Sequence, residues 1–359
     1  MLNKKVLVAM SGGVDSSAAA YILKEQGYHV AGAIMRLWDK PDTEKSIEDA
    51  KKVCENLGID FYVFDNREEF KKTVIENFIN EYANGRTPNP CVVCNKFLKF
   101  GAFLEKAKEM GFDYIATGHY AKIVYDEEFN RYNLVKSPLE KKDQSYFLYN
   151  VTQEILSHMI LPLSSYENKD EVRALAEKAG IQVAKKPDSQ EICFIPDNDH
   201  TSFILKHIPN IKAGKIVDKT GKVRGEHDGI IKYTIGQRKG LGISNPTPLF
   251  VTRIDANKNE VVVSDEVDLY SKELVASEIN LISYEELPKD FKCTAKIRYA
   301  AKPVACVVNE FFEENTDDNR NTLMKKLRII FDEPQRAITP GQSVVLYDGD
   351  KVIGGGIIE

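Results

Sequence analysis

The sequence predicts an α/β fold with a parallel sheet in its first half, followed by two smaller β-rich regions. Strand and helix signals alternate over about the first 200 residues, which is typical of βαβ units. A glycine-rich turn lies between the first predicted strand and the first predicted helix. Beyond about residue 205, Gly and Pro separate short β-branched runs, a pattern typical of small β-domains and barrels.

The boundaries of the predicted α/β elements follow apolar periodicity. The elements are a strand at 5–10, a helix at 16–26, a strand at 29–37, a helix at 45–57, a strand at 59–64, a helix after Asn95, a strand at 113–116, a hairpin at 122–135 inserted into the same layer, and helices at 144–159 and 169–179.

The rest of the chain is predicted to be β-structure. Short apolar runs predict strands at 215–217, 229–231, 250–254, 260–263, 344–346 and 352–353. The segment at 255–259 is a hairpin turn signal. We therefore predict an α/β domain at 1–204, a central β-rich linker domain at 205–272 and a C-terminal β-barrel at 273–359.

Composition narrows the class of protein. The 359 residues are 43% hydrophobic and 29% charged, as in ordinary globular proteins. No apolar run approaches the roughly 18 residues of a membrane span, and the N-terminal run is too short for a signal peptide. We therefore expect a cytoplasmic protein, whose six cysteines are not a disulfide framework. The net charge of -5 means that any RNA site must be a local basic face.

The most informative motif is SGGVDSS at 11–17. Two adjacent glycines permit a tight turn whose backbone N–H groups converge on an anion, and the following helix adds its positive N-terminal end. Asp15 is a suitable partner for Mg²⁺. The motif lacks the Gly-Lys-Ser/Thr ending of a Walker A loop, so it brings no lysine to the outer phosphates. A plain tight turn is the alternative interpretation on local grounds.

A second motif, TPNPCVVC at 87–94, ends in a C-x-x-C pair. Two prolines favour an extended segment, and the cysteines follow at a predicted helix start. Because a helix N-terminus lowers a thiol pKa, Cys94 is a candidate nucleophile. The alternative is half of a zinc knuckle, which would need two more ligands, and the sequence holds no second C-x-x-C.

The other cysteines carry weaker signals. Cys193 follows a polar run and precedes an apolar one, which predicts a loop entering a strand, although a buried core thiol fits the same pattern. Cys54 falls in a predicted helix, and Cys293 and Cys306 fall in strand-like runs. We interpret these last three as packing residues.

Six motifs together resemble the bacterial tRNA-specific 2-thiouridylase family, which belongs to the PP-loop ATP-pyrophosphatase superfamily. They occur in the family's order over essentially the whole chain: SGGVDSS at 11–17, TPNPCVVCN at 87–95, ATGHYA at 116–121, KDQSYFL at 142–148, DSQEICF at 188–194 and TIGQRKGLG at 234–242. The resemblance implies a PP-loop α/β domain, a small central domain and a C-terminal β-barrel. It also implies a sulfurtransferase that uses ATP with Mg²⁺ to thiolate a tRNA uridine, at the wobble position.

The resemblance also implies roles for single residues. Cys94 corresponds to the catalytic thiol and Cys193 to the thiol that receives persulfide sulfur. The implied ATP contacts are Ala9, Met10, Ser11, Gly12, Gly13, Val14, Asp15, Ser16, Met35 and Gly118; the implied target-base contacts are Asn89, Pro90 and Cys91; the implied tRNA contacts are His119, Lys142, Asp143, Gln144, Arg298, Tyr299 and Gln342. Local sequence alone would equally make Met35 a core residue, Lys142 a solvated charge and Arg298 part of a barrel salt bridge.

The implied reaction explains why these parts occur together. The C2 carbonyl of uracil is a poor electrophile without a leaving group, so adenylation of its oxygen allows a sulfur nucleophile to displace AMP. The base must first leave the stacked anticodon loop. In the persulfide route, Cys193 carries sulfur to the base and attack by Cys94 leaves a Cys94–Cys193 disulfide. Alternatively, Cys94 liberates sulfide as the attacking species.

One position departs from the family pattern. Many members have an aspartate, the usual acid/base candidate, where this sequence has Cys91. The substitution creates a set of three cysteines, Cys91, Cys94 and Cys193, and three thiolates can hold a [4Fe–4S] cluster with one open iron. The persulfide route is our first interpretation, and the sequence leaves the cluster route open.

Two other functions are compatible with parts of the sequence. An amidotransferase-type PP-loop ligase would use ammonia and would not need the three cysteines. A non-catalytic tRNA-binding or iron–sulfur module would have a degenerate loop, whereas SGGVDSS is intact. The segment 233–239 mixes aromatic and basic residues, as RNA-facing loops do. The expected partners are tRNA, ATP and a sulfur donor or persulfide carrier protein, with no membrane.

Overall fold

The computed structural model describes residues 4–39, 41–178, 192–195, 199–314 and 323–359. The chain divides into two compact units. The first unit contains Met1–Val74, Cys91–Gln190 and Asp350–Ile353, and the second contains Ile75–Pro90, Glu191–Gly349 and Gly354–Glu359. None of the described helices is both long enough and apolar enough to span a bilayer.

The secondary structure follows the predicted change from mixed α/β to β. The strands are β1 Lys5–Ala9, β2 His29–Arg36, β3 Asp60–Asp65, β4 Tyr114–Ala116, β5 Lys122–Asp126, β6 Arg131–Val135, β7 Met159–Ile160, β8 Gly214–Asp218, β9 Val223–His227, β10 Phe250–Asp255, β11 Glu260–Ser264, β12 Tyr270–Leu281, β13 Phe291–Lys296, β14 Val304–Glu314, β15 Leu323–Arg336, β16 Ser343–Asp348 and β17 Lys351–Ile358. The helices are α1 Val14–Glu25, α2 Thr43–Leu57, α3 Arg67–Phe70, α4 Glu76–Ala83, α5 Pro90–Cys94, α6 Phe103–Glu109, α7 Ser145–Leu148, α8 Gln153–Ser157, α9 Lys169–Lys178 and α10 His200–His207, with π-helical turns at Lys71–Ile75 and Asn95–Ala102.

The first unit contains a parallel sheet with strand order β3-β2-β1-β4-β7. β1 is central, pairing Val8 with Gly32 of β2 and with Ala116 of β4. Its apolar residues at 6–8 are fully buried, as expected of a parallel strand that is covered on both faces. α1 and α2 contribute to the same core, and α9 packs against α1. The predicted parallel sheet is therefore confirmed.

Two predictions in this unit are wrong in detail. The hairpin β5–β6 does not enter the parallel sheet; Leu134 and Val135 pair instead with Val352 and Lys351. The residues of β5 are mostly exposed or half-buried, unlike those of a strand inside a parallel sheet. The helix predicted at 144–159 is broken into α7, α8 and the short strand β7, because Thr152 caps α8 with its hydroxyl 3.3 Å from the N–H of Ile155.

The second unit contains two β-structures. One is a sheet of order β10-β11-β8-β9. The other is a barrel of order β12-β15-β14-β13-β16-β17, which closes because β12 also pairs with β17. Closure pairs the two strands that would otherwise be sheet edges, and the predicted C-terminal barrel is confirmed. The strand predicted at 229–231 is instead a 3₁₀ turn at Ile230–Lys232, which follows Gly229 at a φ of 142°.

Candidate active site

The glycine-rich motif forms a turn between β1 and α1, as its sequence predicts. The N–H of Ser11 donates to the hydroxyl of Ser16 at 3.1 Å, and the hydroxyl of Ser17 donates to the carbonyl of Gly13 at 2.8 Å. These bonds join the turn to the first helical turn of α1. The backbone N–H groups at the start of α1 and its positive dipole end are therefore held in one rigid element suited to an anion.

Two positions at this turn require glycine, because neighbouring backbone comes too close to leave room for a side chain. Gly12 has a φ of 70°, and an added Cβ would lie 2.7 Å from the carbonyl oxygen of Ser46 in α2. An added Cβ at Gly118 would lie 2.6 Å from the backbone carbon of Asp15 and 2.8 Å from the nitrogen of Ser16. The segment after β4 thus packs directly on the start of α1, and the structure brings Gly118 to the predicted nucleotide turn.

Asp15 is the centre of a small polar network at this turn. It accepts a hydrogen bond from the Tyr120 hydroxyl at 2.8 Å. The ammonium of Lys169 donates to both of its oxygens, at 2.7 and 2.6 Å. The sequence interpretation identified Asp15 but missed Tyr120 and Lys169. Tyr120 lies within the ATGHYA motif, whereas no local signal distinguishes Lys169 from the other lysines.

The remaining predicted nucleotide contacts lie at the carboxyl ends of neighbouring strands. Ala9 ends β1 and Met10 follows it, and the N–H of Met10 donates to the carbonyl of Ala33 at 2.7 Å. Met35 lies near the end of β2, half-buried, opposite Phe64 of β3. Open parallel sheets bind ligands at this edge. The position of Met35 is therefore compatible with a nucleotide contact, which stays a prediction.

Both cysteines of the C-x-x-C pair lie on one continuous helical segment, but only the first of them lies at its start. Helical structure begins at Pro90 and continues through the π-helical turn into α6. Cys91 therefore occupies the first turn, and Cys94 lies a turn further on. Because the effect of the dipole decays within the first turn, the helix start favours Cys91 over Cys94, and the role of Cys94 as a nucleophile stays a prediction. Cys91 is exposed, whereas Cys94 is 5% exposed.

His119 is half-buried and follows Gly118 in the segment after β4. Thr117 Oγ1 lies 2.8 Å from its Nδ1, and the Phe100 ring centroid lies 5.6 Å from its own. Desolvation, with a smaller effect from the charge of Lys99, lowers the pKa of His119 to about 3. The imidazole is therefore neutral at physiological pH, and any contact with tRNA would be a neutral hydrogen bond rather than an ion pair.

The predicted tRNA contacts at 142–144 have different local roles. Asp143 accepts from the N–H of Ser137 at 3.0 Å and from the Ser145 hydroxyl at 2.7 Å, which stabilises the turn before α7. The Gln144 side chain accepts from the N–H of Tyr120 at 3.0 Å. Lys142 ends a 3₁₀ turn and is half-buried. Gln144 is thereby joined to the network around Asp15.

In the second unit, the segment before the cysteine pair lies on the barrel. The N–H of Thr87 donates to Pro340 at 2.8 Å, and the Gln342 side-chain amide donates to the carbonyl of Thr87 at 2.8 Å. Arg86 also donates to the carbonyl of Ile358 at 3.2 Å. Gln342, predicted as a tRNA contact, therefore has a clear structural role. Asn89 and Pro90 follow directly in this held segment.

Arg298 and Tyr299 lie on the loop between β13 and β14. Arg298 is exposed, and Tyr299 is 40% exposed. The ammonium of Lys296 lies 5.4 Å from the Tyr299 ring centroid. The two cations, one at the end of β13 and one on the loop, and the accessible aromatic ring suit contacts with phosphates and bases.

Cys193 lies in a turn rather than at the start of a strand. It is exposed, while the next residue, Phe194, is 2% exposed. Phe194 packs on Phe78 and Phe203, with centroids 5.4 and 5.3 Å away. These aromatic contacts anchor the backbone beside the thiol. Residues 188–191 of the same motif lie outside the described residues.

The three cysteines interpreted as packing residues agree with the structure, whereas the aromatic residue of the segment 233–239 does not. Cys54 and Cys306 are buried, and the sulfur atoms of Cys293 and Cys306 lie 3.7 Å apart between paired strands. The exception is Tyr233, which is buried in the core of the central sheet. It cannot offer a ring to RNA, so only Arg238 and Lys239 of the segment 233–239 remain as exposed candidates.

A parallel sheet with a glycine-rich anion turn, joined to a sheet and a closed barrel, defines a multidomain α/β nucleotide-binding protein. Family models match the chain in the same order: a tRNA methyl transferase HUP domain at residues 4–197, a tRNA methyl transferase PRC-barrel domain at 201–265 and an aminomethyltransferase beta-barrel domain at 271–358.

Full-length relatives are more specific than these domain matches. The tRNA-specific 2-thiouridylase MnmA of Clostridioides difficile is 50% identical over 368 residues, covering 100% of this chain and 99% of the relative. The tRNA-specific 2-thiouridylase MnmA of Acetivibrio thermocellus is 51% identical over 371 residues, covering 100% of both. The chain therefore belongs to the tRNA-specific 2-thiouridylase family.

Solved structures resemble the chain less closely. The U34-tRNA thiolase NcsA from Methanococcus maripaludis, with its [4Fe-4S] cluster, aligns with a TM-score of 0.37 and 20% identity, covering 57% of this chain and 66% of that chain.

Proposed function

We propose that the chain catalyses the ATP-dependent replacement of the C2 oxygen of a tRNA uridine, at the wobble position, by sulfur. The observation that carries this proposal is a compact unit that holds both an anion-binding glycine turn and a helix with two cysteines three residues apart. Family membership over the whole chain supports it. The reaction is that of a tRNA-uridine 2-sulfurtransferase.

The first step is adenylation of the base. The uridine C2 oxygen attacks the α-phosphorus of ATP, pyrophosphate leaves, and AMP becomes the leaving group on C2. We assign ATP binding to residues 9–16, Met35 and Gly118. The carboxylate of Asp15 fits Mg²⁺, which favours oxygen ligands and would offset phosphate charge when bound. The same carboxylate is the acceptor for Lys169 in the structure.

The second step is sulfur transfer, for which we propose a persulfide on Cys193. Its terminal sulfur attacks C2, and the C2–O bond breaks to release AMP. The Cys94 thiolate then attacks the inner sulfur of Cys193. The S–S bond breaks, its electron pair leaves with the C2-bound sulfur, and a Cys94–Cys193 disulfide remains. External thiols would restore both cysteines.

A cluster held by Cys91, Cys94 and Cys193 is the alternative sulfur carrier. Cys91 and Cys94 supply two thiols on one helix, and such a cluster would hold sulfide on its open iron. Within the part of the chain that the structure describes, no group of three His, Cys, Asp or Glu side chains is arranged as a metal site. The persulfide route comes first because it needs only two thiols.

The remaining assignments concern tRNA and partners. We propose that Asn89, Pro90 and Cys91 contact the target base. The proposed tRNA contacts are His119, Lys142, Asp143, Gln144, Arg298, Tyr299 and Gln342. A persulfide carrier protein supplies sulfur, and the reaction takes place in the cytoplasm, where tRNA is found. We propose the functional domains 1–204, 205–272 and 273–359. The central sheet begins within the second of these at Gly214, and the first barrel strand begins three residues before the last boundary, at Tyr270.

The experiment is a thiolation assay on protein purified without oxygen. Iron content and visible absorption are recorded, and 2-thiouridine is measured on unmodified tRNA with ATP and either sulfide or a persulfide donor. Wild type is compared with Cys91→Ala, Cys94→Ala and Cys193→Ala. Cys293→Ala is the matched control, because this half-buried thiol lies on a barrel strand and has no proposed role.

We expect a colourless protein that tolerates Cys91→Ala but loses activity as Cys94→Ala or Cys193→Ala. A brown protein with about four irons, inactive as Cys91→Ala, would replace the persulfide step by the cluster step. Pyrophosphate release that is independent of tRNA would favour a ligase that acts on a small carbonyl. Absence of thiolation under all conditions would refute the proposed function.

A further inference from the structure

Lys169 is the strongest unassigned feature of the molecule. It begins α9, 154 residues away in sequence from Asp15, yet its ammonium lies 2.7 and 2.6 Å from the two oxygens of that carboxylate. Its side chain is only 13% exposed. The ammonium also lies 5.3 Å from the Tyr120 ring centroid. Lys169 is therefore held against the first turn of α1.

A purely structural salt bridge is a weak explanation for this arrangement. Exposed ion pairs contribute little to stability, and sequestering two charges costs desolvation that the pair only partly recovers. Other ion pairs of the same helix, such as Asp170–Arg173, are well exposed. The Asp15–Lys169 pair is instead placed at the turn that is built to receive an anion.

The negative charge of the nucleotide explains why a lysine would be placed at this turn. The SGGVDSS turn offers backbone N–H groups and a helix dipole but no lysine of its own. ATP carries several negative charges, and most of the charge that develops during adenylation collects on the departing pyrophosphate. A lysine placed by the fold can supply the cation that the motif lacks, as a point charge suited to phosphate.

We propose that Lys169 binds the outer phosphates of ATP and stabilises the pyrophosphate leaving group, while Asp15 and Tyr120 hold its ammonium at the turn when the nucleotide is absent. The bond between the α-phosphorus and the bridging oxygen breaks, its electron pair leaves on pyrophosphate, and the ammonium lies close to that charge. This assignment rests on the proposed adenylation and adds a catalytic residue to it.

The test compares nucleotides of different charge. Dissociation constants of ATP and AMP are measured by calorimetry for wild type, Lys169→Met, Lys169→Gln, Lys169→Arg and the control Arg173→Ala. Lys169→Met keeps the apolar stem against Tyr120. The control removes an exposed cation from the same helix. Thermal unfolding of every variant reports folding, and pyrophosphate release gives kcat and KM separately.

A charged hydrogen bond of typical strength predicts that Lys169→Met weakens ATP binding about 10- to 100-fold. The affinity for AMP, which lacks the outer phosphates, should change less than about threefold, which is well below the effect of losing one such bond. We expect Lys169→Met to lower the kcat of pyrophosphate release as well. Lys169→Arg should keep part of the preference for ATP over AMP. Arg173→Ala should match wild type.

The outcomes separate this inference from the function on which it rests. If Lys169→Met lowers ATP and AMP affinity equally, or changes neither, Lys169 has only a structural role and the inference is overturned. A Lys169→Met protein that does not fold leaves Lys169→Gln, which removes the charge but keeps a polar side chain, to decide: unchanged ATP binding and unchanged kcat would contradict leaving-group stabilisation by a point charge. A wild-type protein that releases no pyrophosphate from ATP in the presence of tRNA would refute the proposed adenylation itself.

Discussion

At the scale of the residue, exposure separates the six cysteines into two groups. Cys91 and Cys193 are exposed, whereas the other four are buried (Cys54, Cys94 and Cys306) or half-buried (Cys293). Desolvation raises the pKa of Cys54 to about 12. A hydrogen bond with Cys306, followed by desolvation, raises the pKa of Cys293. The thiolate is the reactive form, so these environments favour reaction at the exposed pair.

We therefore predict that iodoacetamide at pH 8 alkylates Cys91 and Cys193 at least about tenfold faster than Cys54 or Cys293, because the thiolate fraction falls tenfold per pKa unit. Cys306 should also react slowly, because its side chain is buried. Mass spectrometry of timed digests measures the rates. Denatured protein, in which all thiols should react at similar rates, is the control. Fast labelling of Cys54 in the folded protein would contradict the burial described.

His119 gives a pH dependence of stability with a definite sign. Its pKa is about 3 in the folded protein and about 6.5 in an unfolded chain. Between these values the unfolded state binds a proton that the folded state does not. The contribution of His119 to stability is therefore complete above about pH 6.5 and is lost as the pH falls toward 3.

We expect His119→Gln to flatten the acid side of the stability curve. Urea unfolding at pH 7.5, 6, 5 and 4 should show wild type losing up to about 1.4 kcal/mol per pH unit more than the variant below pH 6.5. His29→Gln, an exposed histidine, is the control. Parallel curves for wild type and His119→Gln would mean that His119 titrates normally.

At the scale of the element, the segment after β4 can approach α1 closely only because Gly118 has no side chain. Gly118→Ala would place a Cβ 2.6 Å from the Asp15 backbone, so the turn or the strand end must shift. We expect ATP affinity to fall at least about tenfold, equivalent to about 1.4 kcal/mol. Calorimetric titration with ATP measures this.

The control for Gly118→Ala is Gly221→Ala. Gly221 has a φ of 85° and open space where a Cβ would lie, so alanine there costs about 1–2 kcal/mol of backbone strain without touching the nucleotide turn. Thermal unfolding should detect that loss while ATP affinity stays unchanged. Equal loss of ATP binding in both variants would point to general destabilisation.

The segment before the cysteine pair is held by side-chain bonds from the barrel. Removing the Gln342 amide deprives Thr87 and Pro88 of a donor. We expect Gln342→Ala to speed amide hydrogen exchange of Arg86 and Thr87 several-fold, because local opening becomes easier. Gln335→Ala is the control, since that side chain bonds to Glu333 two residues away. Unchanged exchange would show that the Thr87–Pro340 bond suffices.

At the scale of the whole molecule, a net charge of -5 requires that tRNA be bound by local cations. We expect Arg298→Ala to weaken tRNA binding and to reduce the slope of log affinity against log salt by about 1, the effect of one phosphate contact. Filter binding between 50 and 200 mM salt, a range in which phosphate contacts dominate, measures both. Arg328→Ala, an exposed arginine of β15 paired with Glu273, should leave the slope unchanged.

Much of the architecture could be predicted from local pattern. Apolar periodicity and turn residues placed β1, α1, β2 and α2 to within about two residues, because helix and strand periods are properties of short segments. The segment at 144–159 was harder to predict, since a single capping threonine divides it. The prediction that places the hairpin β5–β6 in the parallel sheet is wrong, because hydropathy does not specify a strand's partner.

The sequence by itself determined the glycine turn, the C-x-x-C helix and the change from α/β to β-structure, all of which depend on neighbouring residues. Only the tertiary structure placed Lys169 on Asp15, Gly118 against α1, and Gln342 beside Thr87. It also decided that Cys94 is buried and Cys91 exposed. Such contacts join residues far apart in the chain, and they follow from packing, which no local pattern encodes.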